Sequence, residues 1–167
     1  MEIFPDLIPE IKPAYTIPKS ELSEYWLSGY FCIYCNFNVN VNPHGWKNTY
    51  YNRVVTSFNF SRTIEELPLM ELIAYYFNVI PNIRSNELRV DVNVYGLEKS
   101  KLIVDLFTSF PLISVKQREF IKWSEIVNKL SSISDMPSIH GLSLDHYMPM
   151  FYILIKELND IRSFNKS

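Results

Sequence analysis

The stretch from 25 to 37, YWLSGYFCIYCNF, carries two thiols three residues apart, Cys32 and Cys35, with Tyr34 between them. A zinc site would need a second Cys or His pair at a suitable spacing, and the sequence has only these two cysteines. A redox pair of this spacing normally begins a helix, whereas this pair ends a predicted one. We therefore interpret the cysteines as reduced core thiols, which is typical of a reducing compartment.

Other reactive groups do not form a recognisable catalytic set. The three histidines, His44, His140 and His146, are scattered, and no Ser or Cys nucleophile is marked for them. No carboxylate lies between Glu24 and Glu65, so the cysteine-containing segment lacks the oxygen ligands that Mg²⁺ prefers. The sequence thus predicts no catalytic residues, no metal and no cofactor.

Polar side chains alternate with apolar ones in three segments that read as strands, as in NFNVNVN from 36 to 42. The predicted polar face consists of Asn38, Asn40, Asn42, Arg53, Ser57, Asn59, Arg89 and Asn93, with Asp91 among them. Asparagine can read adenine, and arginine can read guanine or hold phosphate. The face is therefore a candidate nucleic-acid interface, and the alternative is an ordinary solvated sheet face.

Charge and composition limit the possible functions. The 167 residues are 47% hydrophobic and 15% aromatic, which predicts one globular domain. A formal charge of −2 provides no positive field for DNA or a membrane surface, and no apolar run reaches the roughly 18 residues of a membrane span. Few alanines and abundant Ile, Asn, Tyr and Phe favour an AT-rich genome, such as that of an organelle, an AT-rich bacterium, a phage or a parasite.

The N-terminal segment, residues 1–19, has four prolines, which predict an extended arm rather than a helix or a central strand. Its apolar side chains, Phe4, Leu7, Ile8 and Ile11, make it a candidate docking segment for its own domain or for a partner. Residues 20–163 are predicted to form a single domain, and 164–167 a tail.

Periodicity and caps predict the elements of that domain. Ser20 would cap a helix over 21–35, and Thr63 with Glu66 would form a capping box for a helix to 78. Pro43, His44 and Gly45 would form a hairpin turn. The predicted strands are 37–42, 49–61, 79–85 and 87–95, and the later helices are 98–109, 114–131 and 143–162. Hairpins in sequence with separate helices indicate an α+β fold with an antiparallel sheet.

Leu27, Ser28, Gly29, Tyr30 and Phe31 stand where the LAGLIDADG motif opens, and Phe37 stands where an aromatic residue follows it. The later phrases FTSFPLISVKQREFIKWSEIVNKL and KELNDIR are also similar to segments of that family. The chain resembles a single-motif LAGLIDADG homing endonuclease over about 20–163. The resemblance implies an αββαββα fold with a curved four-stranded sheet, whose concave face lies along DNA, and additional C-terminal helices.

The same resemblance identifies departures at the active-site helix. Tyr34 stands where the family has its metal-binding acid, and Cys32 stands at the earlier acid, which implies a degenerate, non-cleaving member. The motif-helix interface implied by the family consists of Leu27, Ser28, Gly29, Cys32 and Ile33. A homodimer through this helix is one possibility, although Ile33 and Cys35 replace small residues and disfavour the familiar close pairing.

We therefore expect a domesticated, RNA-associated component of an organellar ribonucleoprotein in the mitochondrial matrix, encoded in the organelle, such as a ribosomal subunit or a maturase-like factor. One alternative is a purely structural subunit of a mitochondrial complex without nucleic-acid contact. A second is an active homing endonuclease, for which Asp91 is the nearest replacement acid.

Overall fold

The computed structural model describes residues 22–46, 49–134 and 144–166. The predicted arm over 1–19, the Ser20 cap and His140 lie outside the described residues. The helices are α1 (Glu24–Phe31), α2 (Leu67–Tyr76), α3 (Leu97–Ser109), α4 (Lys116–Ser134) and α5 (Met148–Lys166). The strands are β1 (Asn36–Trp46), β2 (Thr49–Thr63), β3 (Asn82–Arg84) and β4 (Arg89–Tyr95), and short 3-10 turns precede α2, β4 and α5.

The four strands form one antiparallel sheet in the order β1-β2-β4-β3. With α1 before β1, α2 between the hairpins and α3 after β4, the chain has the predicted αββαββα arrangement, and α4 and α5 follow it. The predicted α+β class and the antiparallel sheet are confirmed.

One face of the sheet carries the core, because alternate residues of β1, β2 and β4 are apolar and aromatic. Phe37, Phe58 and Phe60 are almost fully buried on this face. Phe31 of α1 inserts between the strands' rings, with its ring centroid 4.9 Å from that of Phe58 and 4.8 Å from that of Phe60. These edge-on aromatic contacts fix the motif helix to the sheet.

Helix α4 attaches to the edge strand β1 through Trp123, which is fully buried. Its ring centroid is 5.2 Å from that of Phe37, and its Nε1 donates a hydrogen bond of 3.0 Å to the carbonyl oxygen of Asn38. Helix α5 packs on α4 and buries Phe151, Leu154 and Leu158. The C-terminal helices are therefore part of the same core as the sheet.

The motif helix is shorter than predicted. Ser23, not Ser20, is its N-cap and accepts from the N–H of Trp26 at 3.2 Å. The helix ends at Phe31 because its last turn tightens: the N–H of Cys32 donates to Gly29 and that of Ile33 to Tyr30. Cys32 is thus the C-cap, and Tyr34 lies in the turn before β1.

Two local predictions in the first half are wrong. Pro43, His44 and Gly45 do not form the turn, because β1 continues through them to Trp46, paired with β2. Thr63 precedes a 3-10 turn and makes no side-chain cap, since Glu66 binds Arg62 instead of the backbone. A capping-box pattern cannot reveal such a competing ion pair.

Strand and helix ends in the second half also differ. Strand β3 is only three residues, Asn82–Arg84, because a 3-10 turn follows it at once and Leu88 adopts a left-handed conformation with φ of 53°. Helix α3 agrees with the prediction to within one residue. Helix α5 extends to Lys166, so residues 164–166 of the predicted tail are helical, and Pro149 lies in its first turn, where proline is tolerated.

Candidate nucleic-acid interface

The strand register brings the predicted polar residues onto one face of the sheet. Residues paired directly across antiparallel strands point to the same side. The rows on the polar face are Asn42–Arg53, Asn40–Val55, Asn38–Ser57–Tyr95, Asn36–Asn59–Asn93, Ser61–Asp91–Asn82 and Thr63–Arg89–Arg84. All eight residues predicted for this face therefore share it with Asp91.

They are not equally accessible. Asn40, Asn42, Arg53, Arg89 and Asn93 are exposed, whereas Asn38 and Asn59 are half-buried. Ser57 lies on the predicted face but is only 6% exposed, so it is covered rather than accessible to a ligand. Its strand β2 is central in the sheet and also contacts the 3-10 turn at 144–147, a packing that alternation alone cannot predict. The accessible polar residues thus surround the covered Ser57.

The only acid predicted on the face is already paired. Nε of Arg84 lies 2.5 Å from a carboxylate oxygen of Asp91, and Ser61 Oγ donates to the same side chain. Burial acts to raise the pKa of Asp91, but the hydrogen bonds from Arg84 and Ser61 outweigh it and hold that pKa below its ordinary value. Asp91 is therefore a bound carboxylate rather than a free metal ligand.

Helix α5 reaches the polar face through Arg162. Its NH2 group donates a hydrogen bond of 3.1 Å to Oδ1 of Asn38. Burial lowers the pKa of Arg162, while the nearby carboxylate of Glu119 opposes this shift. Glu119, itself 3% exposed, accepts from Lys116 and from Asn165 at 3.1 Å each. The guanidinium is thus held in a polar cluster between α4, α5 and β1.

Tyr95 was not predicted as a site residue, yet it lies in the same row as Asn38 and Ser57 and is 55% exposed. An exposed aromatic ring on a polar sheet can stack on a nucleic-acid base. The signal was present in the sequence, because Tyr95 continues the alternation of Arg89, Asp91 and Asn93.

At the end of the motif helix, Tyr34 is packed against a cation supplied by the chain. The guanidinium carbon of Arg62 lies 3.8 Å from the centre of the Tyr34 ring. Arg62 also binds both carboxylate oxygens of Glu66, with Nε 2.6 Å from one of them. Hydrogen bonding to Glu66, followed by the carboxylate charge, raises the pKa of Arg62 despite its partial burial.

Tyr30 completes this aromatic cluster one helical turn before Tyr34. Its ring centroid is 5.5 Å from that of Tyr34 and 5.1 Å from that of Trp26. Burial, assisted by the charge of Glu66, raises the pKa of Tyr30 to about 12. Tyr30 is therefore placed as a neutral aromatic partner of Tyr34.

These residues do not fit the divalent metal that the resemblance implies. The nearest carboxylate, Glu66, is bound in a bidentate manner by Arg62, and Tyr34 offers a neutral phenol facing a guanidinium. Within the described ranges, no three His, Cys, Asp or Glu side chains cluster as a metal site.

The predicted motif-helix interface divides into buried and exposed parts. Leu27 is fully buried in the chain's own core, and Ser28 is 4% exposed and donates to the carbonyl of Pro111 at 2.7 Å, so neither is available to a partner. Gly29 is exposed and has open space around it, Cys32 is half-buried, and Ile33 is 69% exposed.

The exposed side of this region carries further apolar residues. Tyr25, one turn before Gly29, is 77% exposed and makes an edge contact with Phe110. Ile113 is 90% exposed, and its N–H donates to Sγ of Cys32 at 3.2 Å. We call Tyr25, Gly29, Ile33 and Ile113 the apolar patch.

Neither cysteine is paired in a disulfide. The Cys35 thiol donates to the carbonyl of Phe31 at 3.0 Å, and its burial raises its pKa to about 12. The Cys32 thiol donates to the carbonyl of Ser28 at 3.1 Å. Both thiols lie against backbone groups at the end of α1.

An αββαββα unit whose first helix packs on an antiparallel four-stranded sheet defines a class of protein that is related to nucleases of this architecture. The sequence profile of the LAGLIDADG endonucleases matches residues 27–127, more than half of the chain. The chain therefore belongs to the LAGLIDADG family. No curated protein compared with it gives a significant match.

Solved structures share the fold at low sequence identity. The homing endonuclease I-TnaI is 16% identical with a TM-score of 0.64, over 85% of this chain and 97% of its own. I-GzeII in complex with its DNA target is 22% identical with a TM-score of 0.58, over 84% of this chain and 43% of its own. I-SmaMI bound to an uncleaved DNA target with calcium is 14% identical with a TM-score of 0.68, over 83% of this chain and 45% of its own. The chain spans somewhat less than half the length of the latter two.

As to membranes, no helix in the described part of the chain is both long and apolar enough to cross a bilayer.

Proposed function

We propose that this protein is a non-cleaving LAGLIDADG member that binds RNA through its polar sheet face as a component of a mitochondrial ribonucleoprotein. It would be encoded in the organelle and act in the matrix, as a ribosomal subunit or a maturase-like factor.

The observation that carries the loss of cleavage is the contact between Arg62 and Tyr34. Hydrolysis of a phosphodiester by metal-bound water needs carboxylates that bring a divalent cation to the scissile group. Here the position is taken by a neutral phenol, and the adjacent Glu66 is neutralised by Arg62. A second positive charge is unfavourable so close to a fixed guanidinium.

RNA is favoured by the composition of the sheet face. Its exposed residues are mainly amides, with Arg53 and Arg89 as the cations and Tyr95 as an accessible ring. Duplex DNA binding relies on many phosphate contacts, for which two arginines are few. Single-stranded RNA recognition relies on stacking and on hydrogen bonds to base edges, which amides and a tyrosine supply.

Crosslinking in native cells tests RNA binding. The tagged protein is irradiated, purified under denaturing conditions and scored for covalently bound RNA and DNA. The wild type should carry RNA, and the double variant Arg53→Glu/Arg89→Glu should lose it. Arg118→Glu, at an exposed arginine of α4, is the matched control and should keep it. Absence of RNA, or crosslinking to DNA instead, would overturn the proposal.

Metal binding tests the loss of cleavage without knowledge of a target sequence. Mn²⁺ broadens NMR signals of nearby nuclei, so we expect the amides of residues 30–36 to stay sharp when Mn²⁺ is added. Selective broadening there would show a metal site and would favour an active endonuclease like the DNA-bound relatives. Fractionation of cells tests the compartment, since the tagged protein should copurify with mitochondrial matrix proteins.

The apolar patch favours a second candidate function, a structural subunit without nucleic-acid contact. Exposed Ile33, Ile113 and Tyr25 are typical of a protein-binding surface. Under this hypothesis, Ile113→Asp should release copurifying proteins, whereas Ile153→Asp, at an isoleucine on α5 that is 61% exposed, should not. Proteins that stay bound to wild type after RNase treatment, with no crosslinked RNA, would establish this candidate over the first.

A further inference from the structure

The contact between Arg162 and Asn38 determines which atom of an interface amide faces a ligand. The oxygen and nitrogen of an asparagine side chain are difficult to distinguish by shape alone. A guanidinium, however, has only donors, so the atom of Asn38 that lies 3.1 Å from Arg162 NH2 must be the carbonyl oxygen. The Asn38 amide cannot flip without placing two donors against each other.

The orientation of Asn38 leaves its Nδ2 group as the free part of the side chain. Among the described residues, none accepts a hydrogen bond from Nδ2, and the side chain remains half-exposed. Asn38 therefore offers a free donor group, while Arg162 occupies one of the two lone pairs of its Oδ1. The paired recognition of adenine by asparagine uses a donor and an acceptor together, so the contact with Arg162 disfavours it.

The register places Asn38 beside a surface on which a base can lie. Asn38, Ser57 and Tyr95 form one row across β1, β2 and β4, and neighbouring strands lie about 4.8 Å apart. Ser57 is covered, whereas Tyr95 is an exposed ring two strands away. When one base of an RNA strand stacks on Tyr95, a neighbouring nucleotide can present one edge to Nδ2 of Asn38.

We propose that Arg162 is a positioning residue that fixes Asn38 as a donor. This position of the interface then selects bases with a carbonyl at purine C6 or pyrimidine C4 (guanine and uracil) over the amine-bearing class, which has an amino group at that position (adenine and cytosine). A carbonyl oxygen accepts from Nδ2, whereas an amino group opposes it with a second donor. This inference rests on the proposed RNA binding and adds the chemical class of base that the site prefers.

Fluorescence anisotropy with short single-stranded RNAs tests the preference. Probes of equal length contain either guanine and uracil or adenine and cytosine at the varied positions, in sequences without stable pairing. The wild type should prefer the first class by about fivefold, the effect of roughly one hydrogen bond. No binding to any probe would contradict the proposed function itself, whereas binding without preference would contradict only this inference.

Substitutions then test the orientation. Asn38→Asp keeps the oxygen that faces Arg162 and replaces the outer donor by an acceptor, so the preference should invert towards the amine-bearing class, whatever the change in absolute affinity. Arg162→Met should reduce the preference to about one, and Arg162→Lys, which still donates, should retain most of it. Arg118→Met, the matched loss of an exposed arginine, should leave the ratio unchanged.

Thermal unfolding of each variant shows whether it is folded. If Arg162→Met does not fold, Asn38→Asp and Arg162→Lys still decide the matter, since the first pairs a carboxylate with Arg162 and the second keeps a cationic donor at the contact. A preference that is unchanged in Asn38→Asp would overturn the proposal.

Discussion

At the end of α1, the Arg62 guanidinium lies over the ring of Tyr34. Glu66 neutralises the arginine. Because three side chains depend on one another there, restoring a single acid does not recreate a metal site. The effect of an acid introduced at position 34 should therefore depend on Arg62 and Glu66.

We predict that Tyr34→Asp alone does not restore metal binding. The new carboxylate would lie close to Arg62 and pair with it, and the free energy of unfolding should change by no more than about 1 kcal/mol. Calorimetric titration with Mg²⁺ or Mn²⁺ should detect no binding. The double variant Tyr34→Asp/Arg62→Ala, which frees Glu66, should bind Mn²⁺ weakly, and tight binding by the single variant would be evidence against the coupling.

The Cys35 thiol is a second residue whose chemistry is determined by packing. Burial raises its pKa from 9.0 to about 12, so the folded state keeps the proton at a pH where the unfolded chain releases it. A group with a raised acid pKa contributes stability below its unfolded pKa and loses it above. The relevant window is therefore pH 9 to 12.

We predict that the free energy of unfolding falls by about 2 kcal/mol between pH 8 and pH 10.5 through Cys35 alone. Urea unfolding at the two pH values measures the change. The variant Cys35→Ala should show a smaller fall between the same pH values, since it has no thiol to titrate. An equal fall in both proteins would show that other groups, such as Tyr30, cause the loss.

At the scale of the elements, the sequence predicts what periodicity and spacing determine. In β4 the apolar residues alternate with polar ones, and in α3 they recur at helical spacing, so each element has one buried face. The positions of both elements are therefore predicted closely. Predictions fail where a tertiary contact competes: Glu66 binds Arg62 rather than capping a helix, and Ser57 is covered although its neighbours are polar.

The candidate site, too, could be predicted only in part from the sequence. Pairing in the sheet confirms that the polar residues share a face, because a side-chain period of two is visible in the sequence. The Arg162–Asn38 bond joins residues 124 positions apart, and no local pattern indicates it. Leu27 and Ser28 were assigned to an interface by resemblance, but the packing of α1 on its own sheet buries both.

The junction of α3 and β2 gives a prediction at this scale. Thr56 Oγ1 and Ser100 Oγ lie 2.7 Å apart and are fully buried, and Ser100 Oγ also donates to the carbonyl of Gly96 at 2.7 Å. Ser100→Ala removes the described partner of the Thr56 hydroxyl and should cost about 1–3 kcal/mol. Thr56→Val leaves Ser100 bonded to Gly96 and should cost less than about 1 kcal/mol.

Urea unfolding of the two single variants and of the double variant tests this order. The double variant should be no less stable than Ser100→Ala, because it removes the orphaned hydroxyl as well. Equal costs for the two single variants would mean that Thr56 does not depend on Ser100 more than Ser100 depends on Thr56.

At the scale of the whole molecule, charge is distributed mostly in local pairs. Lys122 binds Glu125 and Glu157, Lys101 binds Glu98, and Lys156 binds Asp160. Such exposed pairs contribute little to stability but reduce the field available to a polyanion. RNA binding at the sheet face, as proposed, would therefore depend on short-range contacts.

We predict a shallow salt dependence of RNA binding by the isolated protein. With Arg53 and Arg89 as the phosphate contacts, the slope of log K against log salt concentration should be about −1.4 for single-stranded RNA. Arg53→Gln should reduce its magnitude by about 0.7. Anisotropy titrations over a range of KCl concentrations measure it, and a slope several times steeper would indicate a different, more basic surface.

Gly29 has a thermodynamic consequence for the chain as a whole. An added Cβ there would meet no atom within 4 Å, so the fold itself imposes no steric demand for glycine in the middle of α1. Alanine at an exposed helical site is worth roughly 0.5–1 kcal/mol more than glycine, so Gly29→Ala should raise the melting temperature of the isolated protein. If the same methyl group weakens assembly in cells, another molecule must approach the backbone of α1 closely at Gly29. The chain would then keep glycine there at a cost in helix stability.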